Sequence, residues 1–308
     1  MPELRALGRT AQLVTGSNLL DALLTLGVAV PWSCRAGSCQ ACLVRCEAGE
    51  PADAQPDALP AAMREQGWRL ACQCRVIDDL HVRPFDPALD AASARVVSLH
   101  WLAGDVLALR LMPERSVHYS AGQHVPLWLA GVARPYSFAS LAQVDPWIEF
   151  HIGCRHNGAF ATAAKTLKVG DSISLGQVSG GALHYDPSWS GRPLWLFAAG
   201  TGLAPLWAVL REAIAQGHEG PIRVMHLARE AYWQGELQAL QVQHPALAVE
   251  CVTALPSGLR ADRRTIALVC GSPQSVEVFG KALFMAGVPR SQVLVERFLV
   301  RGDGAAEL

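Results

Sequence analysis

Pro31-Trp-Ser-Cys-Arg-Ala-Gly-Ser-Cys-Gln-Ala-Cys42 is the most informative segment of this chain. It places Cys34, Cys39 and Cys42 in a C-x4-C-x2-C spacing, and Cys72 follows further along the sequence. Three thiolates on one loop and a fourth from elsewhere are the ligand pattern of a plant-type [2Fe–2S] cluster. A glycine within the loop permits a tight bend, and the loop amides can then face the sulfurs. The sequence therefore predicts an iron–sulfur site held by these four cysteines.

Two other uses of the cysteines fit the sequence less well. Structural zinc favours paired C-x2–4-C ligands, whereas a single residue separates Cys72 from Cys74. The chain has nine cysteines, an odd number, and its N-terminus lacks the features of a secretory signal, so a disulfide framework is disfavoured. Unpaired thiols are typical of a reducing compartment, and we expect a cytoplasmic protein.

The bulk composition excludes some classes of partner. With 308 residues, 51% hydrophobic and 17% charged, the chain is long enough for two or three globular domains. Lys and Arg number 26 against 27 Asp and Glu, which argues against a nucleic-acid footprint. The uncharged stretch 193–210 contains Gly200-Thr-Gly202 and Pro205, and we interpret it as a strand, a turn and a helix start rather than a membrane span.

The hydrophobic pattern divides the chain into three parts. The first predicts short strands around Gly8-Arg9, a helix capped by Ser17, and further strands at 41–46 and 68–83. Residues 84–93 read as a linker because they contain two prolines and small residues. Short strand-like runs then predict a small β-barrel, interrupted by a helix at about 160–167. These runs are 94–99, 106–111, 124–128, 147–152 and 172–175.

From residue 193 the pattern changes to alternating strands and helices, which predicts a parallel sheet flanked by helices. The expected strands are 194–199, 222–227, 247–254, 265–270 and 293–300. The expected helices are 205–216, about 233–243, and 275–286.

Further motifs lie in these two parts. The barrel region contains Ala121-Gly122-Gln123, Arg134-Pro-Tyr-Ser137 and Gly158-Ala-Phe-Ala-Thr162. The last part contains Gly200-Thr-Gly-Leu-Ala-Pro205 between a strand and a helix, then Cys270-Gly-Ser-Pro273 and Glu296-Arg-Phe298.

In this order the motifs resemble the ferredoxin–NAD(P)H reductase superfamily, in the version with an N-terminal plant-type ferredoxin domain. The resemblance implies a multidomain α+β and α/β fold. Residues 1–84 would form a β-grasp ferredoxin domain, 94–190 an antiparallel six-stranded FAD-binding β-barrel, and 191–301 a Rossmann-like NAD(P)H-binding domain. FAD is implied rather than FMN because the cluster domain comes first.

The resemblance assigns the flavin site to particular residues. Arg134 would hold a phosphate, Tyr136 would pack on the flavin, and Ser137 would reach the reactive N5 edge. Main-chain amides at the start of the short helix would bind the pyrophosphate, which involves Gly158, Phe160 and Ala161. Ala161 departs from the family pattern, which has Ser there. Phe298 would cover the flavin ring, with Glu296 nearby.

The nucleotide site is assigned in the same way. Gly200, Thr201, Gly202 and Pro205 would approach the pyrophosphate of the nicotinamide nucleotide. Cys270 and Gly271 would lie near the nicotinamide, although Cys270 also fits a buried core thiol. Glu230 would bond a free ribose 2′-OH and so favours NADH, whereas its neighbour Arg229 would favour NADPH. The connection 255–264 is shorter than the family usually has.

The resemblance implies an NAD(P)H-dependent iron–sulfur flavoprotein oxidoreductase, the reductase component of a bacterial multicomponent oxygenase. Electrons would pass from NADH or NADPH through FAD and the [2Fe–2S] cluster to a terminal oxygenase or hydroxylase. Two alternatives stay open: a reductase serving a dehydratase in deoxysugar formation, and a redox-sensing module without turnover. We expect a monomer with neither a nucleic-acid nor a membrane partner. Its docking surface would be the exposed neighbours of the cluster cysteines, Arg35, Ala36, Ser38 and Gln40.

Overall fold

The computed structural model describes residues 1–299, and its strands form four sheets within that range. Residues 300–301 of the predicted third domain, and the polar segment after them, lie outside the described residues. For description, the chain is divided into three units according to its sheets. They are called here the N-terminal, middle and C-terminal units.

The N-terminal unit wraps two sheets around one main helix. Its strands and helices are β1 (Glu3–Ala6), β2 (Arg9–Gln12), β3 (Ser17–Asn18), α1 (Leu19–Thr25), β4 (Leu43–Ala48), β5 (Ala52–Asp53), α2 (Ala61–Glu65), β6 (Trp68–Leu70), β7 (Cys74–Val76) and β8 (Leu80–Pro84). The larger sheet has the order β2-β1-β8-β4-β6, and the smaller one β3-β7-β5. Leu19, Leu20 and Leu23 fix α1 on the core because their helical spacing places them on one buried face.

The cap of α1 differs from the prediction by one residue. Asn18, not Ser17, caps the helix, and its side-chain oxygen accepts a hydrogen bond from Asp21 N at 3.2 Å. The Ser17 hydroxyl instead donates to the carbonyl of Val14.

The segment 84–93, which was interpreted as a linker, contains regular structure. It contains the helix α3 (Pro87–Asp90), and Arg83 binds the Asp90 carboxylate with two hydrogen bonds of 2.6 and 2.8 Å. The Phe85 ring stacks on Trp128 of the middle unit at a centroid distance of 5.2 Å. These contacts join the first two units by packed side chains as well as by the chain itself.

The middle unit is an antiparallel sheet. It comprises β9 (Ala92–Leu102), β10 (Val106–Pro113), β11 (Gln123–Leu129), β12 (Val132–Ser137), β13 (Ile148–Gly153), α4 (Ala159–Ala164), β14 (Ser172–Leu175) and β15 (Ser179–Gly180). The six longer strands run β12-β11-β14-β9-β10-β13, with β15 paired to β11. Six strands were expected, but the hydrogen-bonded order of the described strands is open between β12 and β13, so no closed barrel is found.

The C-terminal unit is a parallel sheet with helices packed on it. Its elements are β16 (Leu194–Ala199), α5 (Leu203–Ala215), β17 (Ile222–Leu227), α6 (Gln234–Gln243), β18 (Leu247–Val252), β19 (Ile266–Gly271), α7 (Pro273–Ala286) and β20 (Val293–Arg297). The strand order is β18-β17-β16-β19-β20, and every pairing is parallel. In such sheets ligands bind at the carboxyl ends of the strands, where the strand order reverses.

The apolar stretch 193–210 divides as predicted into β16, a 3-10 turn at Gly200–Gly202 and the start of α5. Among residues 1–299, no helix combines the length and apolar character that crossing a membrane requires.

Candidate functional site

Four cysteine side chains come together in the N-terminal unit. Cys34, Cys39 and Cys42 lie on the loop between α1 and β4 and are buried, and Cys72 comes from the 3-10 helix Ala71–Gln73. Main-chain amides face one sulfur, as predicted: Ala36 N and Cys39 N both lie 3.3 Å from Cys34 Sγ. The Gln73 side-chain amide donates to Cys72 Sγ at 3.2 Å.

The sulfurs associate in two pairs, Cys34 with Cys39 and Cys42 with Cys72. The contact with Cys39 lowers the pKa of Cys34 to about 5, against the effect of burial, and Ser38 and the loop amides assist. The contact with Cys42 lowers the pKa of Cys72 to about 7. The same contacts raise the pKa of Cys39 and of Cys42, because the proton of each pair stays with one of its two sulfurs. Metal binding requires the thiolate form of all four cysteines.

The two pairs of sulfurs agree with the ligand requirement of a two-iron cluster. A [2Fe–2S] cluster has four cysteine ligands, two for each iron, and the paired sulfurs match that demand. The donor set therefore fits the predicted cluster.

A cleft of about 1270 Å³ connects all three units. The cluster loop lines one part of it, residues 134–137 and 158–161 line another, and the ends of β16, β17 and β20 line a third. Ala36 and Ser38 are exposed, as predicted, and line this cleft, whereas the prediction that Gln40 is exposed was wrong. Gln40 is only 6% exposed, and its side-chain amide donates to the carbonyl of Ala58.

The expected flavin signature lies on β12, beside β11. Arg134, Tyr136 and Ser137 all line the cleft. The Tyr136 ring packs against Phe160 at a centroid distance of 4.9 Å, and burial raises the pKa of Tyr136 above its ordinary value, so the phenol stays neutral. The structure therefore brings together a guanidinium, a neutral aromatic ring and a buried hydroxyl.

The short helix α4 begins at Ala159, directly after Gly158. Its residues Phe160 and Ala161 are 2% and 7% exposed, and both pack into the core of the middle unit. Gly158 has no atoms within 4 Å of the position that a Cβ would take, so packing does not require a glycine there. The segment 158–161 borders the cleft beside Tyr136.

The glycine turn after β16 has two different parts. Gly200, with φ +53°, and Thr201 line the cleft as predicted. Gly202 and Pro205 do not line it. A Cβ on Gly202 would lie 2.3 Å from the carbonyl oxygen of Cys270, so this glycine is required for close packing against β19.

Cys270 is a buried residue of β19. Its side chain is fully buried among the core residues of the C-terminal unit, and neither Cys270 nor Gly271 lines the cleft. Burial raises the pKa of the Cys270 thiol well above its ordinary value. This placement agrees with the core thiol that the sequence left open, and a role beside the nicotinamide stays a prediction.

The remaining predicted residues lie at the cleft wall. Glu230 follows β17, and its carboxylate accepts from Gly104 N at 3.1 Å and lies 3.9 Å from Arg155. Glu296 and Phe298 also line the cleft, at the end of β20. Glu296 Oε2 is buried and has no hydrogen-bond partner within the described chain. A bound ligand with a polar hydrogen would satisfy this oxygen.

Two histidines at the cleft were not predicted as site residues. His124 contacts both the cluster loop and Glu296. Burial alone would lower the pKa of His124, but the Glu296 carboxylate raises it overall. His151 accepts from or donates to the Tyr232 hydroxyl at 3.1 Å and also contacts Glu149. His124 directly follows the Ala121-Gly122-Gln123 motif, a signal that could have indicated it.

Comparisons with known proteins were made for the whole chain. Residues 4–76 match the model of the 2Fe-2S iron-sulfur cluster binding domain. The aromatic O-demethylase reductase subunit of Amycolatopsis sp. is 30% identical, covering 94% of this chain and 96% of that protein. The ferredoxin–NAD(+) reductase component of the Xanthobacter autotrophicus alkene monooxygenase system is 32% identical, over 91% and 90%. The chain belongs to the family of ferredoxin-type oxygenase reductases.

Solved structures agree with this assignment. The crystal structure of the Amycolatopsis cytochrome P450 reductase GcoB superposes with a TM-score of 0.63 and 26% identity. The superposition covers 97% of this reductase and 99% of the GcoB chain. The three units of the reductase are thus shared with a solved relative over nearly their full length.

Proposed function

We propose that this reductase oxidises NADH and delivers electrons, through FAD and a [2Fe–2S] cluster, to a partner oxygenase or hydroxylase. The observation that carries the proposal is the single cleft bordered by the cluster loop, the β12 signature and the β16 turn. Residues proposed for each of the three sites line this cleft, which supports the proposal. The reductase would be an electron-transfer component rather than the enzyme that modifies the final substrate.

The proposed cofactors would supply the redox chemistry, and the protein would position them. When bound, the flavin would couple the two-electron oxidation of the nicotinamide to one-electron reduction of the cluster. The protein's contribution is to bind these groups, orient them and exclude water. No general acid–base pair is needed for that task.

Within the middle unit, the proposed FAD-binding domain of residues 94–190, we assign three side chains to the flavin. Arg134 would pair with a phosphate, the neutral Tyr136 would pack on the ring system, and Ser137 would donate to it. The main chain of 158–161 would approach the pyrophosphate. The buried positions of Phe160 and Ala161 support this division, because their side chains serve the core and leave backbone at the cleft. Phe298 would cover the ring.

The C-terminal unit, residues 191–301 as predicted, would bind the nucleotide at the carboxyl ends of β16 and β17. Gly200 and Thr201 would lie against the pyrophosphate or the nicotinamide. Glu230 supports a preference for NADH, because its carboxylate faces the cleft and would repel a 2′-phosphate. Arg155 lies 3.9 Å from it and partly offsets this repulsion.

The partner is proposed from the relatives. The toluate 1,2-dioxygenase electron transfer component of Pseudomonas putida is 28% identical over 92% of this chain, and the O-demethylase and monooxygenase relatives have parallel roles. We propose an oxygenase partner for this chain too. All nine cysteines are free, which supports a reducing, cytoplasmic setting. The monomeric state stays a prediction.

The purified protein provides the test. Its absorption spectrum should show flavin and iron–sulfur bands together, and NADH should drive reduction of cytochrome c. Cys39→Ser removes a cluster ligand, so it should abolish the cluster bands and cytochrome c reduction while ferricyanide reduction by NADH persists. A wild-type protein without flavin, or unchanged cytochrome c turnover in the variant, would disprove the proposed electron path.

A further inference from the structure

One buried imidazole lies where the three units meet. His124 is on β11 directly opposite Ser137, and it is only 8% exposed. Its Nε2 lies 3.1 Å from the carbonyl oxygen of Ser38, in the cluster loop. Its Nδ1 lies 3.4 Å from Glu296 Oε1, on β20. The ring therefore contacts the cluster loop, the flavin strands and the C-terminal sheet together.

The chemistry of the partners fixes the direction of the hydrogen bonds. The Ser38 carbonyl can only accept, so Nε2 carries the hydrogen and donates it. The Ser179 hydroxyl, 3.1 Å from the same nitrogen, adds a contact within the middle unit. Nδ1 has no other hydrogen-bond partner in residues 1–299, so it faces the Glu296 carboxylate alone.

The packing around the ring leaves little freedom. A Cβ on Gly180 would lie 2.7 Å from His124 Nδ1, which shows how closely the backbone of β15 approaches the imidazole. The cluster loop has a second tether, because the Ser33 hydroxyl donates to the carbonyl of Leu299 at 3.2 Å. The two tethers lie on either side of Cys34.

We propose that His124 is a positioning residue for electron transfer, which holds the Ser38 carbonyl and thereby fixes the cluster loop against β11, the strand paired with the flavin signature on β12. This inference rests on the proposed function. Electron transfer between the flavin and the cluster slows as the distance between them grows. A cluster loop that moved away from the flavin strands would therefore slow this step. His124 touches neither reacting group in this role. It acts through the loop.

Two variants separate this role from general stability. His124→Leu fills the space without a donor, and His124→Gln keeps an amide that can reach Ser38. The matched control is His100→Leu, an exposed residue of β9 whose ring contacts Ser98. If His124→Leu fails to fold, His124→Asn replaces it, since its amide is polar but too short to reach the carbonyl.

The first readout is stopped-flow absorbance of the holoprotein mixed with NADH without oxygen, followed at flavin and cluster bands. In His124→Leu, the ratio of the cluster reduction rate to the flavin reduction rate should fall several-fold, because a larger separation slows the step between flavin and cluster and leaves reduction of the flavin by NADH unchanged. His124→Gln should restore most of the ratio, and His100→Leu should leave it at the wild-type value.

The second readout needs no turnover. Hydrogen–deuterium exchange of the oxidised holoprotein should accelerate about fivefold in the peptide covering 33–40 of His124→Leu, the effect of losing one hydrogen bond of about 1 kcal/mol. An unchanged ratio, equal slowing of both steps, unchanged exchange, or a His124→Gln variant no better than Leu would each overturn the proposal. A wild-type protein that NADH does not reduce would instead refute the proposed function.

Discussion

Gly202→Ala tests whether packing, rather than ligand binding, requires the second glycine of the β16 turn. Gly202 has φ −59° and ψ −11°, which alanine adopts freely, so backbone torsion is not the obstacle. The obstacle is the Cys270 carbonyl, whose oxygen and carbon would lie 2.3 and 2.6 Å from the new methyl. Ordinary C···O contacts are no closer than about 3.3 Å. Both atoms are backbone of a central strand, so they cannot rotate away.

The expected cost follows from comparable insertions. Adding a methyl group to a closely packed core costs about 1–3 kcal/mol of unfolding free energy. With a urea dependence of about 2 kcal/mol per molar, a cost of about 2 kcal/mol lowers the urea midpoint by about 1 M. The midpoint is measured by circular dichroism and tryptophan fluorescence with flavin in fixed excess.

Gly280→Ala is the matched control. Gly280 lies inside α7, and no atom lies within 4 Å of the position that its Cβ would take. Alanine in a helix interior should raise stability by about 0.5–1 kcal/mol. If Gly202→Ala unfolds at the wild-type midpoint while its KM for NADH rises, the packing argument is wrong and the glycine serves the nucleotide.

Three further predictions test separate parts of the cleft. Arg134→Ala should lose flavin during gel filtration because the phosphate loses its cation, and retention at wild-type stoichiometry would refute the flavin assignment. Glu230→Gln should shift the ratio of kcat/KM values toward NADPH by on the order of tenfold, about 1.4 kcal/mol, and an unchanged ratio would remove Glu230 from nucleotide selection. Arg211 donates two hydrogen bonds, of 2.7 and 2.8 Å, to Asp145 between the middle and C-terminal units, and Asp145→Asn removes one of the two acceptor oxygens together with the negative charge. Burial alone would raise the pKa of Asp145, but the contact with Arg211 lowers it overall. The ion pair therefore stabilises the fold at pH values above the carboxyl pKa of the unfolded chain, and this stabilisation is lost as the pH falls through the pKa of the folded protein. The variant should be about 1–2 kcal/mol less stable at pH 7 by urea titration, and this difference should shrink at acidic pH.

The sequence predicted the C-terminal unit best. Its five strands begin within one residue of the expected positions, because buried parallel strands are continuous apolar runs with clear ends. Strand β12 was not foreseen as a separate element. Its residues VARPYS combine a proline, a cation and partial burial, and pairing with β11 decides its conformation.

The sequence indicated the motifs that line the cleft, but not the tertiary contacts of the residues within them. The cysteine spacing predicted the four ligands because three of them, Cys34, Cys39 and Cys42, lie on one short loop. The burial of Cys270 depends on the register of β19 against β16, and the role of Gly202 depends on the same approach. The motif before His124 indicates that this residue lies near the site, but its contacts with Ser38 and Glu296 depend on three separate segments that meet in the fold. No local pattern encodes those long-range approaches.

The aromatic stack between Phe85 and Trp128 has a consequence for modularity. Trp68 joins it at 5.8 Å from Phe85, so three large rings close the seam between the N-terminal and middle units. A fragment cut after Pro84 would leave the face of Trp68 in water and strip Trp128 of its neighbour. Grafting a foreign ferredoxin onto this reductase would therefore require an equivalent ring at position 85, since sequence continuity alone would not rebuild the joint. The N-terminal unit could therefore be exchanged only together with the aromatic residue that follows it, Phe85.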